Sequence, residues 1–262
     1  MLEPVEPGEP VENPVVEPVE TTPERTPIWR FLAGIVVPAV LALTRIGFRN
    51  ADKIPATGSF IMTFNHYSDF DPLITAYALW KHGRTPHYLA KASLFKVPVV
   101  GAAFRATDQV PVERAVGGAA PLAAAAQLID KKLALVIYPE GTLTRDPDLW
   151  PMRGKYGAVR LALQHDVPLI AAASWGAQRV LPRWSRRIRL FPRKSVEVII
   201  GDEVDLSRWR GREADSQALQ EATDVVMAAI TALVEQLRDA KAPAKRWDPA
   251  EHGQSEFGRI KE

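Results

Sequence analysis

Residues 59–82 read SFIMTFNHYSDFDPLITAYALWKH. Ser59 to Phe64 is a short apolar run of strand length, and from Pro72 to His82 apolar residues recur at helical spacing. The segment between them, Asn65-His66-Tyr67-Ser68-Asp69-Phe70-Asp71, is rich in turn-forming polar residues. A strand that passes through a brief loop into a helix is the unit from which a sheet with helices on its faces is assembled.

The alternation continues along the chain. Further strands are expected at His87 to Ala90, Leu133 to Tyr138, Leu169 to Ala173 and Val196 to Ile200; further helices are expected at Ala119 to Lys132, Lys155 to His165 and Glu213 to Leu237. The fold class expected is α/β, a mostly parallel central sheet covered by helices. In that architecture chemistry sits on loops leaving the carboxyl ends of strands. Two such loops carry candidates: Asn65 to Pro72, and Pro139-Glu140-Gly141-Thr142 after the strand ending at Tyr138.

The 262 residues, 47% apolar and 24% charged, suffice for a sizeable core. The absence of cysteine excludes a disulfide framework, a thiol nucleophile, an iron–sulfur cluster and zinc sites with Cys ligands. Charge is unevenly placed: residues 1–24 hold seven Glu and no Lys or Arg, which leaves +9 on the rest of a chain whose total is +2. A basic body favours anionic partners.

Six prolines between Pro4 and Pro23 block helix and sheet alike, so residues 1–27 read as a disordered acidic tail. That acidic segment precedes the first apolar stretch, where an export signal needs positive charge; no export signal is read. Ile28 to Phe48 is apolar, with an uncharged run of 14 residues from Phe31 to Thr44 between Arg30 and Arg45. As a helix the run reaches about 21 Å, short of the roughly 30 Å hydrocarbon core. It reads either as an N-terminal membrane-interface helix kinked at Pro38 or as an amphipathic helix docked on the domain.

His66 and Asp71 stand on either side of a strand-to-helix turn. A carboxylate there can hold one imidazole nitrogen and leave the other free to take a proton from a hydroxyl. Asp71 before Pro72 is equally a helix N-cap, and one position can serve both ends. Glu140, between Pro139 and Gly141, is expected to point into the crevice.

Four blocks in order resemble the lysophospholipid and glycerophosphate acyltransferase superfamily, most closely the bacterial 1-acylglycerol-3-phosphate acyltransferases. They are Asn65-His66-Tyr67-Ser68-Asp69-Phe70-Asp71; Gly101 with Val110-Pro111-Val112-Glu113-Arg114; Tyr138-Pro139-Glu140-Gly141-Thr142; and Val167-Pro168-Leu169-Ile170. The resemblance implies a glycerophosphate acyltransferase-like fold and direct transfer without an acyl-enzyme. His66 would be general base on the free sn-2 hydroxyl of lysophosphatidic acid, with Asp71 orienting the ring, and acyl-CoA or acyl carrier protein would be co-substrate. Asn65, in the first block, with Glu140, Gly141 and Thr142 would bind the acceptor, and Arg114 its phosphate. The third block commonly continues with Arg where this chain has Leu143, so Arg145, Arg153 and Lys155 are further phosphate candidates. Glycerol 3-phosphate or another lysophospholipid is the alternative acceptor, and a lipid-binding protein or lipid hydrolase the alternative class.

The organisation expected is thus a tail at 1–27, an apolar helix at 28–48, an acyltransferase domain at 49–240 and a loose extension at 241–262. Between Arg179 and Lys194 lie seven basic residues and no acid, interleaved with Trp184, Ile188, Leu190 and Phe191. That composition suits an anionic membrane surface or the phosphates of coenzyme A, and no nucleic-acid motif accompanies it. The expected location is the cytoplasmic face of the membrane, monotopic or peripheral. No cofactor and no metal are expected: Gly83 and Pro86 keep His82 and His87 off one helical face, and His165 and His252 read as surface residues.

Overall fold

The computed structural model describes residues 24–113 and 120–255. Seven strands form one sheet: β1 Thr44–Arg49, β2 Phe60–Thr63, β3 Pro86–Lys91, β4 Val110–Val112, β5 Ala134–Ile137, β6 Leu169–Trp175 and β7 Lys194–Glu203. Their order is β1-β7-β6-β2-β5-β3-β4, parallel throughout except that β7 runs antiparallel to β6. β1 and β7 therefore point opposite to the other five. The helices are α1 Pro27–Leu43, α2 Asp71–Lys81, α3 Pro98–Ala106, α4 Ala120–Asp130, α5 Gly157–His165 and α6 Ser216–Arg238.

Side chains alternate across the sheet and split the core in two. Ile61, Leu135, Ile137 and Ala171 pack with α4, α5 and α6. Phe60, Met62, Val136 and Ala172 face the other way and pack with α1 and α2. The central strands are buried on both faces, which is why they read as continuous apolar runs.

Every expected strand is present with shifted ends, and two strands were not foreseen. β4 is three residues with Pro111 at its centre, tolerated because the strand lies at the sheet edge. The apolar helix expected over 28–48 ends at Leu43, and β1 takes the residues that follow. At Thr44 the period changes from helical to alternating: Thr44 is buried and Ile46 and Phe48 half-buried, whereas Arg45 and Arg49 are exposed. The sheet consequently begins before position 49.

One face of the N-terminal helix is docked on the domain, as one of its two readings expects. Val36, Val40 and Leu43 of α1 sit in the core, whereas Phe31 and Ile35 are 63% and 57% exposed on the outer side. No described helix is long and apolar enough to cross a membrane. Most of the acidic tail lies outside the described residues. Glu24, assigned to it, is instead tied down, accepting from the buried Arg84 Nε at 2.7 Å and from the Thr85 backbone N–H at 2.8 Å.

Two helix starts differ from expectation for local reasons. α6 begins at Ser216 because the Asp215 carboxylate caps it, accepting from Gln217 N at 2.9 Å and Ala218 N at 3.1 Å. α5 begins at Gly157 because Lys155 N donates to the Pro139 carbonyl at 2.8 Å, holding that residue in the preceding loop. Unforeseen α3 packs so closely on the preceding short helix that a Cβ at Gly101 would lie 2.1 Å from the Phe95 carbonyl oxygen. The glycine of the second sequence block thus permits a backbone contact.

Candidate active site

The chain leaves β2 at Thr63 and is immediately clamped. Asn65 Oδ1 accepts from Ser174 N at 3.0 Å, and its Nδ2 donates to Ser174 O at 3.1 Å, so the side chain continues the pairing between β2 and β6. Asn65 is 1% exposed and its role is to position the loop, not to touch a ligand.

His66 follows, fixed from four directions. Its backbone N–H donates to Glu140 Oε1 at 2.8 Å, and its carbonyl accepts from Thr144 N at 2.6 Å. Its ring stacks on Tyr138 with centroids 4.2 Å apart. Its Nδ1 lies 3.0 Å from Asp71 Oδ2. That same oxygen accepts from Tyr67 N at 2.8 Å and Ser68 N at 2.9 Å. Asp71 is therefore not the N-cap of α2; Phe70 takes that place, and the carboxylate turns back to close the preceding loop. Burial pushes the Asp71 carboxyl above its ordinary value, opposed by the bonds from His66, Ser68 and Tyr67. An ionised Asp71 requires the hydrogen on Nδ1, which leaves the lone pair on Nε2.

Behind the imidazole the Tyr138 hydroxyl lies 3.0 Å from Thr75 Oγ1, itself 2.8 Å from the Tyr88 hydroxyl. Burial raises both phenols above the ordinary tyrosine value, so both remain neutral supports. The stacking partner of the ring is thereby locked in place. Tyr138 belongs to the third block, but nothing in the sequence shows it lying against His66.

His66 stands on the wall of a cavity of about 470 Å³ at the carboxyl ends of β2 and β5. The residues expected to bind substrate divide sharply around it. Gly141, Arg153 and Lys155 line the cavity. Gly141 adopts φ +70, a left-handed conformation that glycine takes without cost, and a Cβ there would meet the Lys155 side chain only in ordinary contact at 3.4 Å, so the turn and not crowding calls for glycine. Arg114 lies outside the described residues. Arg145 and Thr142 do not line the cavity: Arg145 is 2% exposed, its guanidinium 5.8 Å above the Trp184 ring, and Thr142 is buried. The reading of Arg145 as a phosphate candidate is corrected accordingly; the segment around Trp184 that covers it is remote in sequence.

Glu140 is also corrected. It borders the cavity, yet it is 1% exposed and its carboxylate bridges two backbone donors, His66 N and Met152 N, the latter at 3.2 Å. It ties the His66 loop to the loop after β5 and does not project into the crevice. Burial pushes its carboxyl up from 4.5 to about 8 despite those bonds. The folded protein therefore holds this proton more tightly than the unfolded chain does. The linked stability is full below about pH 4.5 and is lost as pH rises through about 8. Glu140→Gln is expected to flatten that part of the profile. Thermal melts from about pH 5 to 8 check it, and parallel slopes for the two proteins would refute it.

The C-terminal extension is not loose where it meets the site. Trp247 O accepts from Arg153 N at 2.9 Å, Asp248 Oδ2 pairs with Arg153 at 3.2 Å, and Asp248 and Pro249 form part of the cavity wall. No local pattern marks Asp248, because its partner lies 95 positions away.

A family model described as Acyltransferase matches residues 45–175, half of the chain, and that span holds the His66–Asp71 loop, Glu140 and the cavity lysine Lys155. The chain belongs to the acyltransferase family. Among its relatives is the chloroplastic 1-acyl-sn-glycerol-3-phosphate acyltransferase BAT2 of Brassica napus, 29% identical over 164 residues, 59% of this chain and 45% of that one. A 1-acyl-sn-glycerol-3-phosphate acyltransferase of Limnanthes douglasii is 28% identical over 131 residues, 49% of this chain and 45% of that one. The chain thus aligns with just under half the length of the curated relatives it matches. The crystal structure of the 1-acyl-sn-glycerophosphate acyltransferase PlsC from Thermotoga maritima superposes with a TM-score of 0.61 at 21% identity, covering 82% of this chain and 81% of that one. The α/β fold expected from strand and helix alternation is the fold of that protein.

Proposed function

We propose that this acyltransferase moves a fatty acyl chain from a thioester, acyl-CoA or acyl carrier protein, to the free sn-2 hydroxyl of 1-acylglycerol 3-phosphate, forming phosphatidic acid. The observation that carries the reading is an imidazole tied by Asp71 on the wall of a cavity that also holds Arg153 and Lys155. His66 Nε2 removes the hydroxyl proton as the oxygen attacks the thioester carbonyl. The carbon–sulfur bond breaks, the thiolate departs and takes up a proton, and no covalent enzyme intermediate forms. Asp71 keeps the ring in the required tautomer and stabilises the imidazolium. Arg153 and Lys155, with Arg114, hold the acceptor phosphate, where a guanidinium fork matches phosphate oxygens. The relatives' printed names support the acceptor.

Purified protein given lysophosphatidic acid and radiolabelled palmitoyl-CoA tests the assignment. Labelled phosphatidic acid is the expected product; free palmitate alone would mean hydrolysis. Arg153→Ala is expected to raise the acceptor KM about 10- to 100-fold with little change in donor KM, and Arg114→Ala to act in the same direction. Equal effects on both substrates would remove the phosphate role.

A location at the cytoplasmic face of a membrane, without crossing it, is part of the same reading. It is supported by the outer face of α1, where Phe31 and Ile35 are exposed between Arg30 and Arg45.

A further inference from the structure

The cavity wall carries a carboxylate that the reaction assigned above does not use. Asp248 lines the cavity beside Arg153, with Oδ2 3.2 Å from Arg153 Nη1. Its other oxygen, Oδ1, accepts from Ala250 N at 3.0 Å and caps the short helical turn Pro249–His252. One side chain thus joins the segment after α6 to the cavity, and it does so at the guanidinium assigned to the acceptor phosphate.

That segment is a strap fastened along its length. Glu235 of α6 accepts from Ala242 N at 2.9 Å and pairs with Lys241 at 3.0 Å. Arg246 pairs with Asp224 of α6 at 2.9 Å, Lys245 pairs with Glu251 at 2.6 Å, and the Trp247 ring stacks on His252. The Trp247 carbonyl accepts from the Arg153 backbone N–H at 2.9 Å. These contacts hold Asp248 in front of Arg153 without calling on the bond between the two side chains. The carboxylate therefore stays within reach when the guanidinium turns to another anion, at the high effective concentration of a tethered group.

The strength of the pair suits exchange. The side chains of Arg153 and Asp248 are 50% and 22% exposed, and an ion pair so open to water shifts an equilibrium only a few-fold. A phosphate monoester brings a charge of about −1.5 to −2 and three acceptor oxygens against the single charge of a carboxylate, so it displaces Asp248 from the guanidinium. The product of transfer keeps that phosphate unchanged. Substrate and product are then held by the same group, and a tethered competitor weakens the hold on both by the same factor.

We propose that Asp248 is an internal competitor for Arg153: its carboxylate and the phosphate of the acceptor, then of the product, take turns at the guanidinium, and the return of Asp248 loosens the finished product. The inference rests on the assignment of Arg153 to the acceptor phosphate.

Two variants test it. Asp248→Asn keeps the oxygen that caps Ala250 and removes the charge; Asp248→Ser keeps a capping oxygen but is too short to reach Arg153. Transfer from palmitoyl-CoA to lysophosphatidic acid is measured at steady state, with soluble dioctanoyl phosphatidic acid as added product. In both variants the acceptor KM and the inhibition constant of the product are expected to fall together by about 2- to 5-fold, with the donor KM unchanged. Placed in an Arg153→Ala protein, Asp248→Asn is expected to change neither constant, because the two act through one contact. Unchanged constants, a higher acceptor KM, loss of transfer in both variants, or an undiminished effect in the Arg153→Ala protein would overturn the competitor. The underlying assignment fails in a different way. If the parent forms no phosphatidic acid, or if Arg153→Ala leaves the acceptor KM as it was, the phosphate site falls and this inference falls with it.

Discussion

His66→Ala is expected to lower acyl transfer by about 10²–10⁴-fold while the thermal midpoint moves by only a few degrees. The rate loss follows from removing the only group at the cavity wall, among the described residues, whose free nitrogen is prepared by a carboxylate 3.0 Å away on the other side of the ring. The small stability change follows from where the ring sits. Its side chain already borders the cavity, so water replaces it, and Asp71 Oδ2 keeps its two backbone donors from Tyr67 and Ser68. The Glu140 bond to His66 uses the main chain and survives the substitution. Turnover within threefold of the parent, on the scale of a single weak contact, would remove His66 as the base.

Asp71→Ala is expected to be worse, because it damages rate and fold together. It orphans two buried backbone N–H groups at once, each worth about 1–3 kcal/mol when left unsatisfied. A domain held by about 5–15 kcal/mol feels that directly. Asp71→Asn separates the two effects. Its oxygen can still accept from Tyr67 and Ser68, while the charge that stabilises the imidazolium is gone. The new amide would occupy the place of Oδ1, which has no hydrogen-bond partner among the described residues, so a modest stability cost remains. The expected outcome is a turnover loss approaching that of His66→Ala, with a thermal midpoint between those of the parent and Asp71→Ala. An Asp71→Asn protein with parental turnover would show that the carboxylate serves only the loop.

Much of this architecture was legible because it is written locally. The strand from Ser59, the loop holding His66 and the helix to His82 announce themselves through a change of period within two dozen residues, and the four blocks lie in order along one segment. What failed to show was anything whose partner lies far off. Arg145 reads as a phosphate candidate, since nothing beside it discloses the Trp184 segment that covers it. Glu140 looked like a crevice residue because its true acceptors' partners, the N–H groups of His66 and Met152, come from two different loops.

By itself, then, the chain of residues determined the α/β class, the central strands, the two candidate loops and the His66–Asp71 pairing. Periodicity and short spacings are properties of neighbours, and neighbours remain neighbours after folding. Only the tertiary structure decided that Thr44–Arg49 is a strand, that Asn65 and Glu140 act on backbone groups, and that Asp248 meets Arg153. Those relations depend on strand order and direction, which are set by how buried faces pack across the whole sheet.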